Sequence, residues 1–183
     1  YAMATLMKAP GIETAVHEWM HAWYQHLFGT NESLYHWMDE GFATFAEDEV
    51  MEYYLTNWAN QSPFINDSMR AANSKLIAGR AASLPAIHAA SYKNYYAIQK
   101  SPYEEPMSTH ADHFNTNYAY SNASYFKGAV FLEQLGYIVG AKVRDSILLE
   151  YYKLWKFKHP RPDDFIRLAE KVSGNELDWD QQY

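Results

Sequence analysis

The sequence predicts a mainly α-helical protein. Apolar residues recur at spacings of three and four along most of the 183 residues, whereas the alternation typical of β-strands is nearly missing. The prolines and glycines such as Gly29 and Gly174 fall between these helical patterns, at positions where a helix would end or begin. Because 48% of the residues are hydrophobic, we expect one globular domain, or part of one, around a single core.

The chain is expected to begin with two helices. Over 12–28, apolar residues such as Ala15, Trp19 and Trp23 fall on one face, and Gly29 follows as a stop signal. The polar run Thr-Asn-Glu-Ser that comes next predicts a loop. A second, longer helix is expected over 37–57, which lacks proline and is rich in Ala, Glu, Met and Phe. A loop of this length lets the second helix return antiparallel to the first.

Further helices are expected in the rest of the chain. Asn66 or Asp67 can cap one over 68–82, and Pro85 starts another helical stretch. Residues 99–122 contain two prolines and many polar side chains, so they predict a long ordered loop, a feature that is more often functional than idle.

The last third of the chain predicts three helices. Ser121 or Asn122 can cap the first, which runs to about residue 139, and the second is expected over 141–157. Asp163 can cap the third, which ends near Gly174. Four residues near the end of the second are best interpreted as core: Tyr151, Tyr152, Leu154 and Trp155.

Composition excludes several classes of function. With 15 basic and 22 acidic residues the net charge is −7, so a general electrostatic grip on nucleic acid or on an anionic membrane is not expected. There is no apolar run long enough for a transmembrane helix, and the first residues lack the order of a signal peptide. The absence of cysteine excludes disulfides, thiolate catalysis and sulfur-ligated metals.

The first helix carries the motif H-E-x-x-H as His17-Glu18-Trp19-Met20-His21. Residues four apart share a helix face, so both imidazoles can point at one ion, and zinc is the natural occupant. Catalytic zinc usually takes three protein ligands. Glu40 lies near the start of the second helix, with 18 residues between it and His21, and an antiparallel return brings it beside the histidines. The predicted metal set is His17, His21 and Glu40, with Glu18 as the base that accepts a proton from water.

A simpler interpretation exists, because H-E-x-x-H also occurs by chance on amphipathic helices. The two histidines would then be exposed or singly hydrogen-bonded, Glu18 would be a solvated charge, and Glu40 would stabilise a helix N-terminus. The carboxylate at this spacing, followed by Gly-Phe-Ala-Thr, favours the metal site.

Two stretches resemble the aminopeptidase N family of gluzincin zinc metallopeptidases, which includes leukotriene hydrolase. The first is the H-E-x-x-H motif with Glu40-Gly41-Phe42-Ala43 after 18 residues, and the second is Tyr125-Phe126-Lys127-Gly128-Ala129. The second is similar to a family run whose tyrosine stabilises the oxyanion, a role that the resemblance gives to Tyr125. The resemblance implies the helical lobe of a thermolysin-like catalytic domain, one Zn²⁺ per chain and a peptide substrate.

The resemblance also implies that residues 1–183 are a portion of a larger peptidase. It divides them into zinc-site helices (12–57), a loop with the oxyanion-tyrosine helix (99–139) and C-terminal helices (141–183). Residues 1–6 are similar to a run that in bacterial relatives follows the glutamate for the substrate's amino group, so the chain is expected to begin just after that residue. The sheet lobe and the remaining domains would belong to the rest of the parent peptidase, and an extracytoplasmic bacterial setting is implied.

The expected function is zinc-dependent hydrolysis of peptides, with removal of amino-terminal residues as the leading form. An epoxide hydrolase is a chemical variant. The alternative from another class is a binding or scaffold module that keeps the fold without turnover. Glu18 and Tyr125 favour the enzyme, because a scaffold has no physical need for either.

Some residues are candidates for supporting roles. Glu47 is the best candidate to orient a zinc-binding imidazole, and Asp39 comes second, since a solvated carboxylate explains it slightly better. The residues that could line a substrate cleft or pack near the metal are Thr109, His110, Asp112, His113, Tyr120, Asn31, Glu32 and Tyr35. The loop histidines could instead bond within the loop or form a second metal site. The histidines expected to be ordinary surface or core residues are His26, His36, His88 and His159.

Overall fold

The computed structural model describes residues 11–61, 63–81 and 87–177, and within these ranges it is helical without a strand. The mainly α-helical class is therefore confirmed. The described ranges hold eight α-helices: α1 (Ile12–Tyr24), α2 (Phe42–Asn57), α3 (Asp67–Ala81), α4 (Ala89–Gln99), α5 (Asn117–Ser121), α6 (Gly128–Val139), α7 (Ala141–Trp155) and α8 (Pro162–Ser173). None of them is long and apolar enough to cross a membrane.

Two of the helices are entered through a π-helical turn. The first π-turn (Trp37–Gly41) leads into α2, and the second π-turn (Asn122–Lys127) connects α5 to α6. Such turns hold one residue more than an α-helical turn and occur often at functional sites. Glu40 lies in the first and Tyr125 in the second, so both depart from regular helical register.

The last residue of the first π-turn, Gly41, touches Gly128, which directly follows the second π-turn. A Cβ on Gly41 would lie 2.6 Å from the Gly128 Cα, and a Cβ on Gly128 would lie 2.8 Å from the Gly41 Cα and 2.9 Å from the Trp37 carbonyl oxygen. Both residues have ordinary right-handed helical angles, so space rather than conformation requires glycine here. The contact sets the distance between the backbone of Glu40 and that of Tyr125.

Aromatic side chains fill the main core between α2, α6, α7 and α8. The Phe42 ring meets Phe165 edge-on at 5.1 Å between centroids, and Phe28 stacks on Tyr151 at 4.4 Å. All four side chains are buried. A smaller apolar cluster lies between α1 and α2 and consists of Val16, Met51, Leu55 and Ala59. The π-turns and α1 are thereby held on a packed base.

Three differences from the predicted helix boundaries stand out, and the predicted helix start at Pro85 lies outside the described residues. The first helix ends at Tyr24 instead of residue 28, because the following amides shift to wider bonds, such as that from the His26 N–H to the His21 carbonyl. The predicted loop over 99–122 contains α5. The Thr116 hydroxyl caps the N-terminus of this helix by accepting a hydrogen bond from the Ala119 N–H at 3.0 Å. Arg161, rather than Asp163, is the N-cap of α8.

The expectation for the end of α7 is correct in part. Tyr151 is buried and Trp155 packs against the main core. The prediction of Tyr152 and Leu154 as core was wrong, because both side chains are exposed.

A buried polar cluster joins α2, α6 and α7 to the start of α4. The His88 Nδ1–H donates to Asp48 at 3.0 Å, and the His88 ring stacks on Phe45 at 4.7 Å. Arg144 lies over the same Phe45 ring and bonds to Glu133 at 3.1 Å. Burial disfavours the charged imidazole, but the hydrogen bond to Asp48 and the Glu49 carboxylate, 3.5 Å from the His88 Nε2, outweigh it and raise the pKa of His88 to about 9. His88 is thus a core histidine, as expected, and a charged one.

We expect Gly41→Ala or Gly128→Ala to lower the free energy of unfolding by about 1 to 3 kcal/mol, because the new methyl group meets backbone that cannot swing away. Urea denaturation measures the loss. The matched control is Gly11→Ala, whose Cβ meets only the Thr14 Oγ1 at 3.6 Å and whose cost should stay below about 1 kcal/mol. Equal effects at the three positions would contradict the close contact.

The charge on His88 should make stability depend on alkaline pH. Because the folded-state pKa lies above the ordinary value of 6.5, the stabilisation is complete below about pH 6.5 and is lost as pH rises through about 9. The loss should be on the order of 3 kcal/mol. Urea denaturation between pH 6 and pH 10 on the wild type and on His88→Gln isolates the effect, because every other titrating group is common to both. Parallel curves would show that His88 is not involved.

Candidate metal centre and active site

Two histidines of α1 and one carboxylate of the first π-turn converge on a single point. His17 and His21 lie one turn apart on the face of α1 that packs against α2. The His17 Nε2 is 3.1 Å from the Glu40 Oε2, the His21 Nε2 is 3.2 Å from the same oxygen, and the two Nε2 atoms are 3.2 Å apart. The structure therefore brings together the three residues that the sequence predicts as metal ligands.

The other nitrogen of each imidazole bonds to a different carboxylate. The His17 Nδ1 is 3.0 Å from the Glu47 Oε2, two turns along α2 from Glu40, and the His21 Nδ1 is 2.6 Å from the Asp39 Oδ1. These contacts show that α1 and α2 run antiparallel. They also fix both rings so that each Nε2 faces the shared point.

Glu47 lies where the sequence suggests, but the preferred interpretation of Asp39 as a solvated carboxylate is wrong. Asp39 is only 6% exposed, because the π-turn directs it under α1 towards His21. The only sequence signal for a role at the site was the position of Asp39 directly before Glu40. Regular helix geometry argued against that role, because neighbouring side chains on a helix point about 100° apart.

The carboxylates control the charge of the imidazoles. Burial disfavours protonation of both rings, but the hydrogen bonds to Glu40 and Glu47 raise the pKa of His17 to about 9, and those to Asp39 and Glu40 raise the pKa of His21 to about 10. Burial also opposes ionisation of Glu40, yet its bonds to the two histidines lower its pKa to about 2. These shifts favour the protonated form of both imidazoles and the ionised form of Glu40 at neutral pH.

The donor set fits a zinc ion. Zinc bound tetrahedrally to nitrogen and oxygen at about 2.0 to 2.2 Å holds its ligands roughly 3.3 to 3.6 Å apart. The three donor atoms form a triangle with sides of 3.1, 3.2 and 3.2 Å, slightly smaller than those edges. Within residues 11–61, 63–81 and 87–177, this is the one group of three or more His, Asp or Glu side chains that converges closely enough to hold a metal ion.

Tyr125 lies at the edge of this site. Its ring stacks on His17 with centroids 5.7 Å apart, and its hydroxyl interacts with the Glu40 carboxylate. Burial and the charge of Glu40 raise the pKa of Tyr125 well above its usual range, so the phenol stays protonated and can donate a hydrogen bond. Glu18 directly follows His17 on α1 and is partly exposed, as a group that exchanges protons with water must be.

The other residues expected near the cleft have varied surroundings. Tyr120 lies close to the site, where burial and the charge of Glu40 raise its pKa. Tyr35 packs against the main core, and the Asn31 side chain accepts bonds from the Ser33 and Leu34 amides. Glu32 is exposed.

The loop residues divide into two groups. The Thr109 carbonyl oxygen accepts a bond from His36 and so ties the loop to the first π-turn. His110 and His113 contact each other, with ring centroids 4.9 Å apart, and the His110 Nδ1 accepts from the Asp112 N–H. Among the described residues these loop histidines form no second metal cluster.

The chain matches known proteins over nearly its whole length. The model of the peptidase family M1 domain matches residues 5–181. Aminopeptidases M1-D, M1-B and M1-C of Oryza sativa subsp. japonica are 22%, 22% and 23% identical over 88% of this chain. The chain spans only 16% of the length of each of these relatives.

Two solved structures share the fold. One is an M1 zinc metallopeptidase mutant from Deinococcus radiodurans bound to a Tyr-Ser-Ala substrate, with a TM-score of 0.62 and 19% identity over 92% of this chain and 31% of that one. The other is a mutant of a two-domain M1 zinc metallopeptidase bound to L-tryptophan, with a TM-score of 0.59 and 17% identity over 91% of this chain and 32% of that one. The helical lobe expected from the sequence is confirmed, and the chain belongs to peptidase family M1.

Proposed function

We propose that the full-length protein is a zinc-dependent aminopeptidase and that His17, His21 and Glu40 bind its zinc. The observation that carries the proposal is the triangle of three donor atoms, in which each imidazole is oriented by its own carboxylate. Membership of family M1 supports it, and the named relatives are aminopeptidases. The tripeptide and the amino acid bound by the two solved relatives support a substrate of peptide chemistry.

A zinc ion in this site would supply Lewis acidity, polarising the scissile carbonyl and lowering the pKa of the attacking water towards about 7. Glu18 accepts the proton of that water and later passes it to the leaving amine. Glu18 is free for this role because the metal set uses His17, His21 and Glu40 instead.

Tyr125 donates a hydrogen bond to the oxyanion that develops on the substrate carbonyl. The raised pKa keeps its proton in place at neutral pH, and the stacking on His17 limits rotation of the ring. Loss of one such donor typically costs about a hundredfold or more in rate.

A non-catalytic scaffold and an epoxide hydrolase remain alternatives. A scaffold has no need for a protonated tyrosine beside three converging metal donors. An epoxide hydrolase would use the same metal site but would not depend on a peptide bond. Assays with peptides of free and blocked amino terminus therefore distinguish the peptidase from both alternatives.

Replacing the orienting carboxylates should weaken zinc binding while leaving its ligands in place. We expect Glu47→Gln and Asp39→Asn each to lower zinc affinity about 10- to 100-fold, because each removes the charge that fixes one imidazole. Competition with a chromogenic chelator on the full-length protein measures the affinity. Glu52→Gln, also on α2, is the control and should change nothing. Unchanged affinity in both variants would contradict the proposed roles of these carboxylates.

The role of Glu18 can be tested by Glu18→Gln in the full-length protein. The amide is nearly isosteric but cannot accept a proton, so we expect zinc content to be unchanged and kcat to fall by about a hundredfold or more. Metal analysis and hydrolysis of a fluorogenic aminoacyl peptide are measured on the same sample. Full activity with full zinc content would assign proton transfer to another group.

The same assay tests the aminopeptidase proposal with the acetylated form of the peptide. Acetylation removes the charge of the amino terminus, so an aminopeptidase should no longer cleave it. Equal rates on both peptides would indicate an endopeptidase, and no cleavage of either peptide by the zinc-loaded protein would favour the scaffold or the epoxide hydrolase.

A further inference from the structure

A buried histidine outside the metal site links the two π-turns. His36 precedes the first π-turn and is 1% exposed. Its Nδ1 lies 2.7 Å from the Oγ of Ser124, which is fully buried in the second π-turn. Sequence spacing gave no role to His36, because its partner is 88 residues away.

The second nitrogen of His36 holds a loop. The His36 Nε2–H donates to the Thr109 carbonyl oxygen at 3.0 Å. The rings of Phe114 and Tyr120 pack against the imidazole at 5.2 and 5.3 Å between centroids. The same loop is tied once more by the Ala111 N–H, which donates to the Ser33 carbonyl oxygen at 2.9 Å. We refer to residues 107–116 as the docked segment.

The hydrogen-bond pattern defines the protons of this group. A carbonyl oxygen only accepts, so the His36 Nε2 carries the hydrogen. Burial lowers the pKa of His36, which leaves the ring neutral and its Nδ1 an acceptor. The single hydrogen of the Ser124 hydroxyl is shared between that nitrogen and the Tyr120 carbonyl oxygen, each of which lies 2.7 Å from the Ser124 Oγ.

Both partners lie beside a proposed site residue. His36 is one turn before Glu40, and Ser124 directly precedes Tyr125. Gly41 and Gly128 fix how close the two π-turns come. The hydrogen bond between the His36 and Ser124 side chains is directional, so it restricts sliding of one π-turn past the other.

We propose that His36 and Ser124 are positioning residues for the reaction: their hydrogen bond sets Tyr125 in register with Glu40, and the second nitrogen of His36 holds the docked segment to the same point. The proposal rests on the catalytic role assigned to Tyr125 above. A pair of apolar side chains at positions 36 and 124 would fill the space but would leave the Thr109 and Tyr120 carbonyl oxygens without these hydrogen bonds. Packing alone therefore does not explain the presence of His36 and Ser124.

Ser124→Ala in the zinc-loaded full-length protein is the first test. We expect kcat to fall about tenfold with KM nearly unchanged, since small misplacement of a catalytic group is costly. The matched control is Ser146→Ala, because the Ser146 hydroxyl also bonds to the carbonyl four residues earlier, at 3.0 Å, but lies exposed on α7. That control should leave kcat unchanged.

A double-mutant cycle with Tyr125→Phe identifies the cause of the loss. If Ser124 acts through the Tyr125 hydroxyl, Ser124→Ala should lower kcat in the wild type but not in Tyr125→Phe. A further tenfold loss in the double variant would overturn the proposal and indicate general structural damage. If Tyr125→Phe alone leaves kcat unchanged, the role of Tyr125 fails, which is a different outcome.

Two variants of His36 separate its bond to Ser124 from its bond to Thr109. Hydrogen–deuterium exchange of the zinc-free protein measures how firmly the docked segment is held, independently of enzyme activity. His36→Gln can still donate to Thr109 but loses the acceptor for Ser124, so we expect lower kcat and unchanged exchange at the Ala111 amide. His36→Asn can still accept from Ser124, so kcat should be nearly kept while exchange at Ala111 becomes faster. The reverse pattern, or the same effect from both variants, would overturn the proposal.

Discussion

The close contact between Gly41 and Gly128 is the constraint on which the rest of the site depends. It lets two π-turns meet at backbone distance, and each of these turns contributes one of the residues proposed for the chemistry, Glu40 and Tyr125. The aromatic core beneath, centred on Phe42, holds α2 and α6 in this arrangement. A side chain on either glycine would press on the backbone of the other turn and force the two turns apart. The packing of two glycines therefore determines where the charged and polar groups of the site can lie.

The site can hold two positive charges in two different ways. Three carboxylates, from Asp39, Glu40 and Glu47, surround two imidazoles. When the imidazoles are protonated they carry the same two positive charges that a zinc ion would bring. The hydrogen bonds through each Nδ1 do not need to change between these two states. The ligands can thus be held in place before a metal arrives, and exchange of protons for metal would leave the net charge unaltered.

The sequence predicted those parts of the site that depend on short spacing. His17 and His21 share a helix face at any regular geometry, and the loop after Gly29 brings α2 back beside α1. The spacing of hydrophobic residues in the sequence does not distinguish a π-turn from an α-helical turn. The burial of Asp39, which depends on the π-turn, was therefore not predicted. The partners of His36 and His88 are 40 to 88 residues away, and only the folded chain shows them. The short helix α5 was missed because its cap, Thr116, lies within a run of polar residues that also favours loops.

The π-turns make the chemistry sensitive to the number of residues as well as to their identity. Each residue in an α-helix turns the chain by about 100°, so removal of a single residue between positions 37 and 41 would convert the first π-turn to a regular one and rotate what precedes α2 by that angle. Phe42 and the apolar face of α2 could stay in the core. Asp39 and Glu40, in contrast, could not both keep their places under α1. A descendant of this chain could therefore retain a well-packed helical lobe and lose its metal site through one deleted codon, with every ligand still present in its sequence.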